Sequence, residues 1–180
     1  MNKNMLRQQF KEKRKNLDRN FVEKTSKVIT DNFLSRYGGF DRYFLYVSFD
    51  NEVRTIELIT HLKNMGKEVF LPILVNDEIL AGYFEDFESM KKNRFGVLEP
   101  IKVTSEDYFD VVVAPGVVFD IECYRLGFGK GYYDRFLKKI QKKVCVGFAY
   151  DFQVIEKLPV EKHDVKLDAV LTEKREIGGY

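Results

Sequence analysis

The chain has 180 residues, 44% of them apolar and 14% aromatic, enough to close a core, and its length suits one domain, since domains cluster around ~100 to 150 residues. Thirty basic side chains face 28 acidic ones, so a net charge of +2 argues against nucleic acid as the main partner and requires any polyanion site to be local. The N-terminal MNKNMLRQQFKEKRK is charged throughout and the longest uncharged apolar run, VVVAPGVVF at 111–119, is far below the ~20 residues of a membrane span, so neither a signal peptide nor a membrane segment is expected.

Residues 3–16 are rich in helix formers. Lys3, Arg7, Lys11 and Arg14 recur along them at helical spacing, a cationic stripe that is either a solvated face or a ligand surface. Asn20 followed by Glu23 resembles a capping box, predicting a second helix to about Leu34 that buries Val22, Thr25, Ile29 and Phe33. RYFLYVS at 42–48 reads as a buried strand. A helix from about Arg54 to Met65 turns Leu58, Ile59, Leu62 and Met65 inward and stops at Gly66, after which EVFLPIL from 68 supplies the next strand and 78–84 a further one. FDVVVAPG at 109–116, a glycine loop, a helix from about Tyr132 to Lys142 and VCVGFA at 144–149 repeat the strand, helix, strand order. The alternation predicts an α/β fold, residues 1–180 as a single domain, with a mainly parallel sheet and helices on both faces.

Ligands of such sheets bind outside the carboxyl ends of the strands, where SFDNEVRT at 48–55 and the stretch from Ala114 to Tyr133 both lie. In RLGFGKGYYDR at 125–135, Gly127, Gly129 and Gly131 alternate in a way that suits neither helix nor strand. Tyr133, Phe136, Leu137 and Ile140 then form the apolar stripe of a helix whose mouth is Gly131. Free N–H groups at a helix start, glycines that admit close approach, and the charges of Arg125 and Lys130 together point to a phosphate site. Asp134, in the first turn, is either a favourable charge at the helix start or a ligand of a divalent cation placed between carboxylate and phosphate. Cys123 and Cys145 form no CxxC pair and His61 and His163 stand apart, so neither zinc nor a disulfide framework is indicated and a reducing cytoplasm is expected. Neither GxxxxGK[ST] nor GxGxxG is present.

PGVVFD followed by RLGFGKGYYDRFL closely resembles the signature of the 5-formyltetrahydrofolate cyclo-ligase family, and KNMLR, SFDNEVRT, FGVLEP, GFAYDFQ and HDVKLD extend the resemblance across almost the whole chain. The resemblance implies a fold akin to sugar-phosphate isomerases and CoA transferases. It also implies ATP- and Mg²⁺-dependent closure of 5-formyltetrahydrofolate to 5,10-methenyltetrahydrofolate. Carried over by position, Lys3 and Arg7 match N-terminal ATP contacts, and Arg125, Gly127, Gly129, Lys130, Gly131, Tyr132 and Tyr133 match the nucleotide loop, with Arg125 and Lys130 as charge-stabilising catalytic groups. Asp134 and Asp164 match magnesium ligands, Asp168 being an alternative to the latter. Val47, Glu52 and Tyr132 match folate contacts, and Phe119, Asp120 and Phe148 are either pocket or structural residues. Where the family pattern usually has glycine this chain has Cys123, which adds strain if that turn requires a positive φ. Expected partners are small molecules alone, reduced folate and ATP, with no nucleic acid or membrane, on a monomer or weak oligomer. The alternatives are a sugar-phosphate isomerase-like enzyme, which needs no ATP, and a non-catalytic nucleotide-binding module.

Overall fold

Short runs of β-branched and aromatic residues in the middle of the chain come together as the strands of one sheet. The computed structural model describes residues 1–179. Strands β1 (Arg42–Leu45), β2 (Glu68–Val75), β3 (Glu78–Tyr83), β6 (Tyr108–Ala114), β9 (Gln141–Phe148), β11 (Ala169–Leu171) and β12 (Glu176–Gly178) form a seven-stranded sheet in the order β12-β11-β9-β6-β1-β2-β3. The central pairs are parallel; β3 and β12 close the two edges antiparallel. Two short strands, β4 (Lys91–Lys92) and β5 (Leu98–Glu99), make a hairpin, while β7 (Val118–Asp120), β8 (Arg125–Leu126) and β10 (Val154–Ile155) make a small second sheet.

The pleat divides the core in two. Val111 and Val113 of β6 face one side, where they meet Val22, Ile29 and Phe33 of α2 (Arg19–Tyr37) and Leu58, Ile59 and Leu62 of α3 (Ile56–Asn64). Val112 and Ala114 face the other, against Phe136 and Leu137 of α4 (Tyr132–Lys139). The helices that follow β1 and β6 therefore cover opposite faces, so the chain leaves these two paired strands in opposite directions at their carboxyl ends, the geometry that opens a crevice in a doubly wound sheet. Helix α1 (Lys3–Lys15) lies on neither face. Its Leu6 and Phe10 pack on Val117, Val118, Leu126 and Leu158 of the small sheet and its surroundings.

Several elements depart from the sequence expectation for identifiable reasons. The second helix begins at Arg19 with Asp18 as N-cap and no side-chain capping bond, so Asn20 and Glu23 form no capping box. Leu17 and Val22, flanking that cap, join one apolar cluster instead, a staple that sets where the helix starts. β1 stops at Leu45 because Thr55 takes over the backbone beyond it: Thr55 Oγ1 donates to the Tyr46 carbonyl (2.7 Å) and accepts from the Ser48 N–H (2.9 Å). Met65 does not face inward. It is the C-cap of α3, 48% exposed, because the helical period ends at Asn64; Gly66, at φ +81, carries the chain away. Likewise α4 ends at Lys139 rather than Lys142, since Gln141 and Lys142 pair with Tyr108 and Phe109 and sheet pairing overrides helix propensity.

Candidate active site

The carboxyl ends of β1 and β6 open into a cavity of about 490 Å³, roofed by α1 and by the loop from Arg125 to Tyr133. At one end stands the glycine loop. Gly129 (φ +103) and Gly131 (φ +70) occupy left-handed backbone, and Gly131 is the N-cap of α4 without any side-chain capping bond, so the first-turn N–H groups face the cavity uncapped. Arg7 Nε donates to the Gly127 carbonyl (2.8 Å) and its guanidinium lies against Gly129, so a side chain 120 residues away in sequence shapes the loop.

Carboxylates collect at the same end. Asp134 Oδ1 accepts from the Val165 N–H (3.2 Å) and lies 3.9 Å from Arg125 Nη1. Asp164 Oδ2 accepts from Lys3 Nζ (2.8 Å) and from the Glu161 N–H (2.8 Å), while Glu161 itself lies 3.0 Å from Lys3. Burial opposes ionisation of both members of the Lys3–Asp164 pair, but their mutual hydrogen bond prevails, holding the ammonium pKa above and the carboxyl pKa below the ordinary values. Among the described residues no group of three or more His, Cys, Asp or Glu side chains gathers to hold a metal ion. Asp134 and Asp164 by themselves are too few for a bare ion and suit one that also takes oxygens from a phosphate ligand and water. Asp168 lies elsewhere: immediately before β11, its Oδ2 accepts from the Cys145 N–H (2.7 Å) of the neighbouring β9.

The opposite end is lined by Tyr46, Val47 and Glu52. Glu52 Oε1 accepts from the Phe49 N–H (2.8 Å). Burial pushes its carboxyl pKa up from 4.5 to about 7, against the pull of the Arg14 guanidinium and that N–H. Phe49, Phe95 and Phe128, each more than two-fifths exposed, stand around the mouth.

The description of the matching family model, 5-formyltetrahydrofolate cyclo-ligase family, covers residues 1–173. The chain belongs to this family. A cyclo-ligase of that name from Escherichia coli (strain K12) is 40% identical over 139 residues, spanning 71% of this chain and 75% of that enzyme. The enzyme of the same name from Saccharomyces cerevisiae is 31% identical over 198 aligned positions, 94% of each chain. The NMR structure of Aquifex aeolicus 5,10-methenyltetrahydrofolate synthetase superposes with a TM-score of 0.87 at 34% identity, covering 98% of this chain and 92% of that one. These similarities make the chain a ligase, and they favour neither the isomerase-like nor the non-catalytic alternative.

Set against this cyclo-ligase fold, the sequence expectations converge on one place. Lys3, Arg7, Val47, Glu52, Arg125, Gly127, Gly129, Lys130, Gly131, Tyr132, Tyr133, Asp134 and Asp164 all line the cavity. Two of them are deployed in unexpected ways. Arg125 is buried, its Nε donating to the Pro115 carbonyl (2.8 Å) and its guanidinium stacked 5.2 Å from the Tyr133 ring, so it braces Asp134 from behind. Tyr132 donates from its hydroxyl to Asp77 Oδ1 (3.3 Å) on the β2–β3 turn. Phe119 and Asp120 are structural: Asp120 is fully buried and accepts from the N–H groups of Glu122, Tyr124 and Leu158. Phe148 lines only a small void behind the cavity. Cys123 sits at φ +69, so the turn does require left-handed backbone, at a strain of roughly 1 kcal/mol.

Sequence reasoning left Arg14 outside the site. It is 7% exposed and lines the cavity beside Glu52. Its signal was present in the cationic stripe, seven residues after Arg7 on the same helix face. The aromatic rim of Phe49, Phe95 and Phe128 carried no such signal, because three separate loops assemble it.

Proposed function

We propose that this chain, acting as a single domain, closes 5-formyltetrahydrofolate to 5,10-methenyltetrahydrofolate with conversion of ATP to ADP and phosphate. The observation that carries the reading is one cavity with two chemically different ends: an uncapped helix start with glycines, Lys3 and Arg7 for phosphates, and a carboxylate, Glu52, for the donor groups of a pterin. The formyl oxygen of the substrate attacks the γ-phosphorus and ADP departs. N10 then attacks the activated formyl carbon, its proton is lost and phosphate leaves, giving the methenyl cation. No protein nucleophile enters this sequence, so the chain acts by placement and charge.

Lys3, Arg7, Lys130 and the backbone from Gly127 to Tyr133 hold the nucleotide, while Val47, Glu52 and Tyr132 hold the folate. Arg125, 3.9 Å from Asp134 Oδ1, braces that carboxylate so that it lines the cavity. Asp134 and Asp164 would hold Mg²⁺, which supplies Lewis-acid neutralisation of phosphate charge when bound. Lys3 donates to the Asp164 carboxylate (2.8 Å), which ties the cation proposed for the phosphates to one of the carboxylates proposed for the metal. The proposed enzyme is cytoplasmic and works on small molecules as a monomer or weak oligomer; separately, no helix among the described residues is long and apolar enough to cross a membrane.

The test is the appearance of methenyl absorbance from 5-formyltetrahydrofolate with ATP and MgCl₂, with ATP omitted, and with MgCl₂ replaced by EDTA. Product is expected only in the complete mixture. Product without ATP, or none in the complete mixture from folded protein, overturns the assignment.

A further inference from the structure

Arg14 is a largely buried cation with few protein partners. Among the described residues its guanidinium makes one hydrogen bond, from Nη1 to the Gly116 carbonyl, at a long 3.4 Å. Its remaining N–H donors have no protein acceptor and reach the cavity that the residue lines, although a largely buried charge is costly unless paired and bonded. Three features offset part of that cost. Arg14 occupies the last turn of α1, where the helix dipole favours a cation, it faces Glu52, and its guanidinium lies 5.7 Å from the centre of the Phe128 ring.

The end of α1 is tied to the loop that carries Glu52: Asn51 Nδ2 donates to the carbonyls of Arg14 (2.9 Å) and Lys15 (3.3 Å). Seven residues separate Arg14 from Arg7, about 10 Å along the helix axis, so Arg7 serves the glycine loop and Arg14 the opposite end. A phosphate at Arg14 would also meet the Glu52 carboxylate, which disfavours an anion there.

We propose that Arg14 is a substrate-contacting residue: its guanidinium donates to the oxo group of the pterin ring while Glu52 accepts from the ring's adjacent N–H and amino group. The inference rests on the folate reading of this cavity. A 2-amino-4-oxo pyrimidine presents donor, donor and acceptor along one edge, and a carboxylate beside a guanidinium presents the complement. Arg14 thereby gains acceptors that the protein itself does not offer, and discrimination is strong, because an analogue without the oxo group leaves the largely buried guanidinium without that acceptor.

The experiment compares Arg14→Met and Arg14→Lys with wild type by calorimetric titration of 5-formyltetrahydrofolate and, separately, of ATP with MgCl₂, with the folate titration repeated from pH 5.5 to 8.5. The charged and titratable groups facing Glu52 are Arg14 from α1, Asp50 and Arg54 from its own loop, Tyr46 after β1, Tyr133 from α4 and Tyr150 after β9. Arg14→Met should weaken folate binding by about 10- to 100-fold, leave ATP affinity within about threefold, and move the pH midpoint of folate binding upward, because the charge that pulls the Glu52 pKa down is gone. Arg14→Lys should restore the midpoint but not the affinity, since a point charge does not replace the planar fork. Should Arg14→Met fail to fold, the affinity loss in Arg14→Lys decides alone. Folate affinity kept in either variant, or folate and ATP affinities falling together, overturns the proposal. Wild type that binds ATP but no folate overturns the substrate reading itself, and this inference with it.

Discussion

Glu52→Gln should make the empty protein more stable in alkaline solution while weakening its hold on folate. The folded-state carboxyl is displaced from 4.5 to about 7, chiefly by burial. A raised carboxyl pKa means that the folded state binds the proton more tightly than the unfolded chain. Stability is therefore fully present below pH 4.5, falls as pH rises toward 7, and stays reduced above it. At about 1.36 kcal/mol per pH unit the displacement corresponds to about 3 kcal/mol, and partial exposure to solvent reduces this to about 1 to 2 kcal/mol. Glutamine keeps the shape and the acceptor for the Phe49 N–H but never ionises. For a chain of this size, the variant should melt about 2 to 8 °C above wild type at pH 8.5 and level with it near pH 4.5 to 5. Thermal unfolding without ligands at both pH values, read by circular dichroism, makes the comparison. An offset between the two proteins that is the same at both pH values would refute the buried-carboxylate argument. Titrations at pH 8 should show folate affinity falling more than ATP affinity, since a neutral amide accepts a weaker hydrogen bond than a carboxylate.

Lys3→Ala and Arg7→Ala should each raise the KM for ATP about tenfold and leave folate binding largely intact, Arg7 through both its own charge and the lost support of the Gly127 carbonyl; unchanged ATP kinetics in both would return the stripe to a solvated face. Asp134→Asn retains an acceptor for the Val165 N–H but loses the charge, so turnover should drop strongly and the magnesium requirement rise while the unfolding midpoint barely moves; normal activity across a magnesium titration would reduce this aspartate to a helix-start charge. Asp164→Asn should behave similarly, whereas Asp168→Asn, away from the cavity, should change stability rather than the magnesium profile. Asp120→Ala strands the N–H groups of Glu122, Tyr124 and Leu158 in the interior and should cost about 3 kcal/mol or more in urea unfolding; a loss under about 1 kcal/mol would contradict the structural role.

The sequence alone determined those features set by neighbours in the chain. The short continuous apolar run in FDVVVAPG and the helical stripe through Leu58, Ile59 and Leu62 are local patterns, and they reappear in the structure as a strand between two cores and a helix on one face. The glycine loop was legible for the same reason, since alternating glycines before an amphipathic helix describe a left-handed approach to a helix start whatever surrounds them. Tertiary structure decided everything that joins distant segments. The Arg7–Gly127 and Lys3–Asp164 contacts span 120 and 161 residues, and they exist because Leu6 and Phe10 seat α1 on the small sheet rather than on the main one. That seating turns a stripe of cations, indistinguishable in sequence from a solvated face, into one wall of a cavity. It also buries Arg14 beside Glu52, and the resulting loss of solvent, a property of the assembled cavity that no run of neighbouring residues encodes, raises the carboxyl pKa to about 7.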